Sequence, residues 1–158
     1  MQTLNVGAGR TDQEYQAAEE QRRADLLAES RSDANYFFVA AVLAAIGNGL
    51  FLVRVPILVV IGATELLMVY GRPFGNHLFL VLWGAGAAWV AALVGLGFAA
   101  QKGYRWAFWA GIILYGLDMI ALAITFSWLS LGVHGFFVFK WFQGQKALHD
   151  LEEPSASS

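Results

Sequence analysis

The sequence predicts an all-α integral membrane protein: a four-helix bundle with a polar helix ahead of its first span and a short outer re-entrant or interfacial helix behind it. Three observations carry this expectation. The chain is 58% hydrophobic and 15% aromatic but only 14% charged, whereas a soluble domain carries about 25% charged residues to keep its surface in water. Mean hydropathy is +0.53. The charges are also segregated: 11 of the 22 Asp, Glu, Lys and Arg residues lie between Arg10 and Asp33. From Tyr36 to Phe139 only Arg54, Glu65, Arg72, Lys102, Arg105 and Asp118 interrupt an apolar body.

Three segments follow from this distribution: a cytoplasmic N-terminal extension over 1–34, a transmembrane bundle over 35–143 and a polar C-terminal tail over 144–158. The extension opens on Thr11-Asp-Gln-Glu14, a capping box whose hydroxyl and carboxylate satisfy the free amides of a helix start. From there to about Asn35 the chain has no Gly or Pro and is rich in Ala, Glu, Gln, Arg and Leu, all good helix formers. Glu19 and Arg23 stand in the favourable i,i+4 order. Tyr15, Ala18, Leu26 and Leu27 form a weak apolar stripe. No apolar core of a cleavable leader precedes Asn35, so the first span is expected to act as an uncleaved anchor.

Apolar stretches at 36–53, 77–100, 106–124 and 128–142 are expected to cross, since about 18 helical residues match the hydrocarbon thickness. A fifth stretch, 56–70, is short, contains Glu65 and is bracketed by Arg54 and Arg72-Pro73. The positive-inside rule decides its fate. If it does not cross, eight Lys and Arg residues face the cytoplasm and two, Arg54 and Arg72, face out; if it does, the division is five against five. Four crossings are therefore expected, with both termini cytoplasmic. Tyr36-Phe37-Phe38, Tyr104, Trp106, Trp109 and Trp141 then fall near the inner interface, and Phe126 and Trp128 near the outer one.

Small residues recur at four-residue spacing, as in Ala40-Ala44-Asn48, Ala41-Ala45-Gly49, Gly84-Ala88-Ala92, Ala87-Ala91-Gly95 and Ala107-Gly111. Such strips let backbones approach closely in lipid, within one chain or between copies; packing within the chain is the expectation here.

The candidate polar residues are few. Asp118 is the only acidic residue in the expected spans and His134 the only histidine away from a span edge, each eight positions from residue 126 at the centre of a turn. An antiparallel hairpin puts such residues at one depth, and an unpaired charge there costs at least about 2.5–3.5 kcal/mol. Contact between them is expected. Asn48, near the outer end of the first span, and Glu65 beside it complete a possible outward-opening cluster. A polar network holding helices in register accounts for these residues more simply than a proton or ligand site, or a metal site of Asp118, His134 and Glu65. His77 and His149 sit where a solvated histidine is ordinary. Gly7-Ala-Gly9 lacks the strand and third glycine of a dinucleotide loop, and no phosphate loop or HExxH occurs.

The net charge of -2 offers no basic surface for nucleic acid. With no cysteine in the chain, thiol catalysis and cysteine-ligated metals are excluded. No cofactor and no catalytic group are expected. The stretch Tyr104-Arg-Trp-Ala-Phe-Trp-Ala-Gly-Ile-Ile-Leu-Tyr-Gly-Leu-Asp118, with Trp128-Leu-Ser-Leu-Gly-Val-His134-Gly-Phe-Phe and Gly144, resembles small bacterial multi-pass inner-membrane proteins of unknown function. That resemblance covers mainly the last third of the chain. It implies a bacterial inner membrane, marks Asp118 and His134 as motif positions and supplies no activity. The expected role is a non-enzymatic membrane scaffold or accessory subunit, its partners the lipid bilayer and either other proteins or further copies of itself. The alternative is a small transporter, channel or ligand-binding protein built on the Asp118–His134 cluster.

Overall fold

The computed structural model describes residues 12–52, 76–124 and 128–152. Four helices and no strand are found among them: α1 (Asp12–Leu52), α2 (Asn76–Gln101), α3 (Arg105–Ile124) and α4 (Trp128–Glu152). The apolar segment 56–70, with Glu65, lies outside the described residues, as do Thr11 of the capping box and the turn at 125–127.

Side-chain pairs fix the topology. Phe38 meets Phe98 and Gln101 donates to Asn35, so α2 runs antiparallel to α1. Arg22 meets Asp150, Asp33 meets Lys140, and Tyr36 meets Phe136 and Phe137, which makes α4 antiparallel to α1 as well. Each helix packs on its two neighbours, and α4 closes the ring on α1. The result is an up-down-up-down four-helix bundle.

The expected boundary near residue 35 does not interrupt the chain. Polar extension and first apolar stretch form one helix of 41 residues, roughly 60 Å long. The absence of Gly and Pro from Asp12 to Ile46 removes any reason to break. Its lower part, residues 12–29, is solvent-facing. From Ser30 upward a buried seam appears at Ser30, Ala34, Phe37, Ala41, Ala44 and Asn48, alternating steps of three and four that keep one helical face inward.

The C-terminal end also departs from expectation. The residues after Gln143 read as a polar tail, yet α4 continues to Glu152 and buries Gly144, Gln145, Ala147 and Leu148. Lys146-Ala-Leu-His-Asp-Leu keeps helical propensity and an apolar face at 144, 148 and 151, which α1 covers below Asp33. Arg22 Nη2 donates to the Asp150 carbonyl at 3.4 Å, and Arg105 pairs with Glu152.

The α2–α3 connection is a Schellman turn. Gly103 takes φ +84°, the Tyr104 amide donates to Ala99 O at 3.1 Å and the Gly103 amide to Ala100 O at 2.9 Å. A left-handed residue is what this closure needs, and glycine supplies it without strain.

The core is aromatic. Phe37 stacks on Trp141 with centroids 4.1 Å apart and planes 7° from parallel. Tyr115 meets the Trp141 edge at 4.7 Å, and Phe108 leans on Phe37 at 5.9 Å. Phe37 and Trp141 were expected in an interfacial belt; both are fully buried instead. Phe37 falls on the α1 seam one turn below Ala41, and Trp141 is one turn from Phe137 on the inner face of α4. Tyr104, Trp106, Trp109 and Trp128 do face outward.

The small-residue strips divide in the same way. Ala40, Ala41, Ala44, Ala107 and Gly111 are buried, as expected for packing within the chain, whereas Ala45, Gly49 and both α2 strips are exposed. On α2 the inward face is Gly86, Leu93, Leu96, Gly97 and Ala100. Larger Leu side chains at 93 and 96 claim the core and turn the alanines outward.

Candidate functional site

Asp118 and His134 meet inside the α3–α4 hairpin. His134 Nε2 lies 2.8 Å from Asp118 Oδ2, with the two side chains 1% and 9% exposed respectively. The other ring nitrogen, Nδ1, lies 2.8 Å from the backbone carbonyl of Ser130, one turn back on α4. A carbonyl oxygen only accepts, so Nδ1 carries a hydrogen and donates it. Nε2 and Oδ2 then share a second proton in a contact short enough to be charge-assisted. Tyr115 covers the imidazole face, its ring stacked at 4.6 Å and 29°, and itself leans on Trp141. The histidine is thus oriented by a carbonyl, paired by a carboxyl and roofed by an aromatic ring.

This arrangement matches the base-plus-orienter half of a catalytic triad, with the Ser130 carbonyl, which is no nucleophile, bonded to the ring. Among the described residues no group of three His, Asp or Glu side chains could hold a metal ion.

The structure brings together two of the four residues of the expected cluster. Asn48 stands apart on the α1–α2 seam, against Gly86. The Tyr36–Phe137 contact sets His134 level with about residue 40 of α1, so Asn48 sits roughly two turns, or about 12 Å, further up. The depth read from the spans alone misplaced it, because the α1–α4 register depends on ring packing that spans do not reveal. Glu65 lies outside the described residues.

A second buried polar group was not anticipated. Asp33, its side chain 5% exposed, points into the α1–α4 interface with Oδ1 3.5 Å from Lys140 Nζ; Lys140 also donates to Gln143 Oε1 at 3.0 Å. Asp33 Oδ2 and Trp141 Nε1 are buried with no hydrogen-bond partner among the described residues. Grouping Asp33 with the polar extension hid it, although its place one turn below Phe37 on the same face was the available signal. Burial raises the Asp33 pKa from the ordinary 3.8, Glu29 adds to that, and Lys140 partly offsets it. A raised pKa in the folded state favours folding fully below the ordinary carboxyl value and loses that contribution as pH rises through the raised one. Asp33→Asn should therefore gain thermal stability relative to the wild type as pH increases from 4 to 7, measured by paired melting curves. A wild type that gains on the variant over that range would show that the Lys140 attraction dominates instead.

Comparison with known protein families, with curated proteins and with solved structures finds no match to this chain.

Proposed function

We propose that this chain is a non-enzymatic integral membrane scaffold or accessory subunit, with α1 from about Tyr36, α2, α3 and the apolar part of α4 crossing the bilayer. The observation that carries the reading is where apolar surface lies. Large apolar side chains cover the outside of the bundle body: Val39, Val42 and Ile46 on α1, Trp109, Ile113 and Leu117 on α3, Phe136, Phe139 and Phe142 on α4. Polar groups of the same levels, Ser130, His134 and Asn48, are inside. A monomer in water rarely exposes contiguous apolar patches beyond a few hundred Å²; a bilayer is a solvent that rewards this inversion.

One described helix passes a length-and-hydropathy test for crossing by itself, α2 over Trp83–Gln101 with a mean hydropathy of 1.6. Residues 12–29 of α1, exposed and charged, suit an aqueous stalk. The scaffold reading is preferred to a transporter or ligand-binding role because His134 is fully buried and its Asp118 partner largely so. A groove beside Asn48 and another beside Val133 are lined by neither member of the pair.

With a bacterial inner membrane and both termini cytoplasmic, a reporter active only in the periplasm should give signal when fused after Gly75 and none after Gly103 or Pro154. Signal after Gly103 would overturn the four-span topology.

A further inference from the structure

The outer face of α2 differs from those of α3 and α4. Those helices present a large side chain at nearly every turn, whereas every exposed residue of α2 from Gly84 to Gly95 is glycine or alanine. Packing within the chain does not explain the glycines. A Cβ built on Gly84, on Gly95 or on Gly49 of the adjoining α1 meets nothing within 4 Å. Gly86, Gly97, Gly111 and Gly144 are different: a Cβ there would lie 2.4–3.0 Å from a neighbouring side chain. Gly116 and Gly132 also have room, but each stands singly among bulky exposed residues.

A second observation lies beside this strip. A groove between α1 and α2, walled by Ala45, Gly49, Trp83, Ala87 and Val90, has Asn48 at its floor. Asn48 is 7% exposed, and its Oδ1 is buried with no hydrogen-bond partner among the described residues. A carboxamide needs both donors and an acceptor, and hydrocarbon tails supply neither.

We propose that the α2 strip and the Asn48 groove form a homodimer interface, occupied by the same face of a second copy. The inference rests on the membrane reading above. Two parallel copies in one bilayer are related by a two-fold axis along its normal, which sets each residue at the level of its own counterpart. Asn48 of the second copy therefore arrives at the depth of the first, and rotation of each carboxamide out of its seat against Gly86 into the groove pairs the two, each bringing a donor and an acceptor. The alanines and glycines let the α2 backbones approach, which is the main source of attraction between helices in lipid. An acyl chain in the same groove would fill it and leave both carboxamides unmet.

The cysteine-free sequence makes the test direct. Full-length protein carrying Ala91→Cys should form a disulfide-linked dimer when its native membranes are oxidised, and Ile113→Cys on α3 should not. Adding Asn48→Leu or Gly84→Leu to Ala91→Cys should cut the cross-linked fraction roughly fivefold or more; Gly84 has room for the larger side chain within one chain, so folding is spared. Equal cross-linking at Ile113, no cross-link at Ala91, or insensitivity to both leucines overturns the proposal. Alkaline carbonate extraction separates the two levels. A protein retained in the membrane but not cross-linked refutes the dimer alone, and one released by carbonate refutes the membrane reading.

Discussion

Asp118→Leu is expected to lower stability by about 3–5 kcal/mol, and adding His134→Leu to recover most of that loss. The single change strands an imidazole whose Nε2 was 2.8 Å from a carboxylate oxygen, in a pocket closed by Tyr115 and the Ser130 carbonyl. Losing that contact leaves a buried polar nitrogen to be met some other way, so the loss includes a desolvation penalty. Removing both partners leaves two apolar side chains of similar volume between α3 and α4, where neither needs a hydrogen bond. Melting curves of the four proteins of the cycle, in one mild detergent, measure the coupling. Losses that simply add would mean that the two side chains contribute independently. The double variant also separates roles: a structural pair leaves the cellular phenotype intact once stability is restored, and a functional one does not.

Gly111→Ala should destabilise although alanine is the better helix former by about 1 kcal/mol. Its Cβ would lie 2.4 and 2.6 Å from two Phe37 ring atoms and 3.1 Å from Trp141 Cε3. Phe37 has no room to yield, because its other face is stacked on Trp141. Overpacking of this kind costs about 1–3 kcal/mol, and with the Cβ this close the upper part of that range applies, leaving a net loss of about 1–2 kcal/mol. Gly116→Ala, on the same helix with nothing within 4 Å, should be neutral or stabilising. Comparable melting temperatures for the two variants would show that the Phe37–Trp141 stack is loose.

The Asp118–His134 contact could be read from the sequence because it depends on one short hairpin, where equal distance from a turn implies equal depth. Helix content was legible for the same local reason: propensity and apolar runs are properties of a segment. What could not be read depends on rotation and register between distant helices. Phe37 and Trp141 looked like interfacial aromatics until packing turned them toward each other. Asn48 was placed beside His134 because span ends were aligned, whereas aromatic contacts set α1 against α4 two turns away from that alignment. The α2 alanines looked like core packing, since spacing reveals that a strip exists but not which way it faces. Asp33 was hidden by its neighbours, most of which are solvated.

The unbroken α1 has a mechanical consequence. A rod of 41 residues has nearly half its length, residues 12–29, in contact with solvent and its upper part wedged between α2 and α4, with no joint between them. Anything that grips the rod near Tyr15 acts on the Phe37–Trp141 stack as through a lever, with Asp33 and Lys140 at the fulcrum. A tilt of the free end is met not by a bending loop but by rotation of the whole seam, so load applied to that end is felt directly by the ring system at the centre of the bundle.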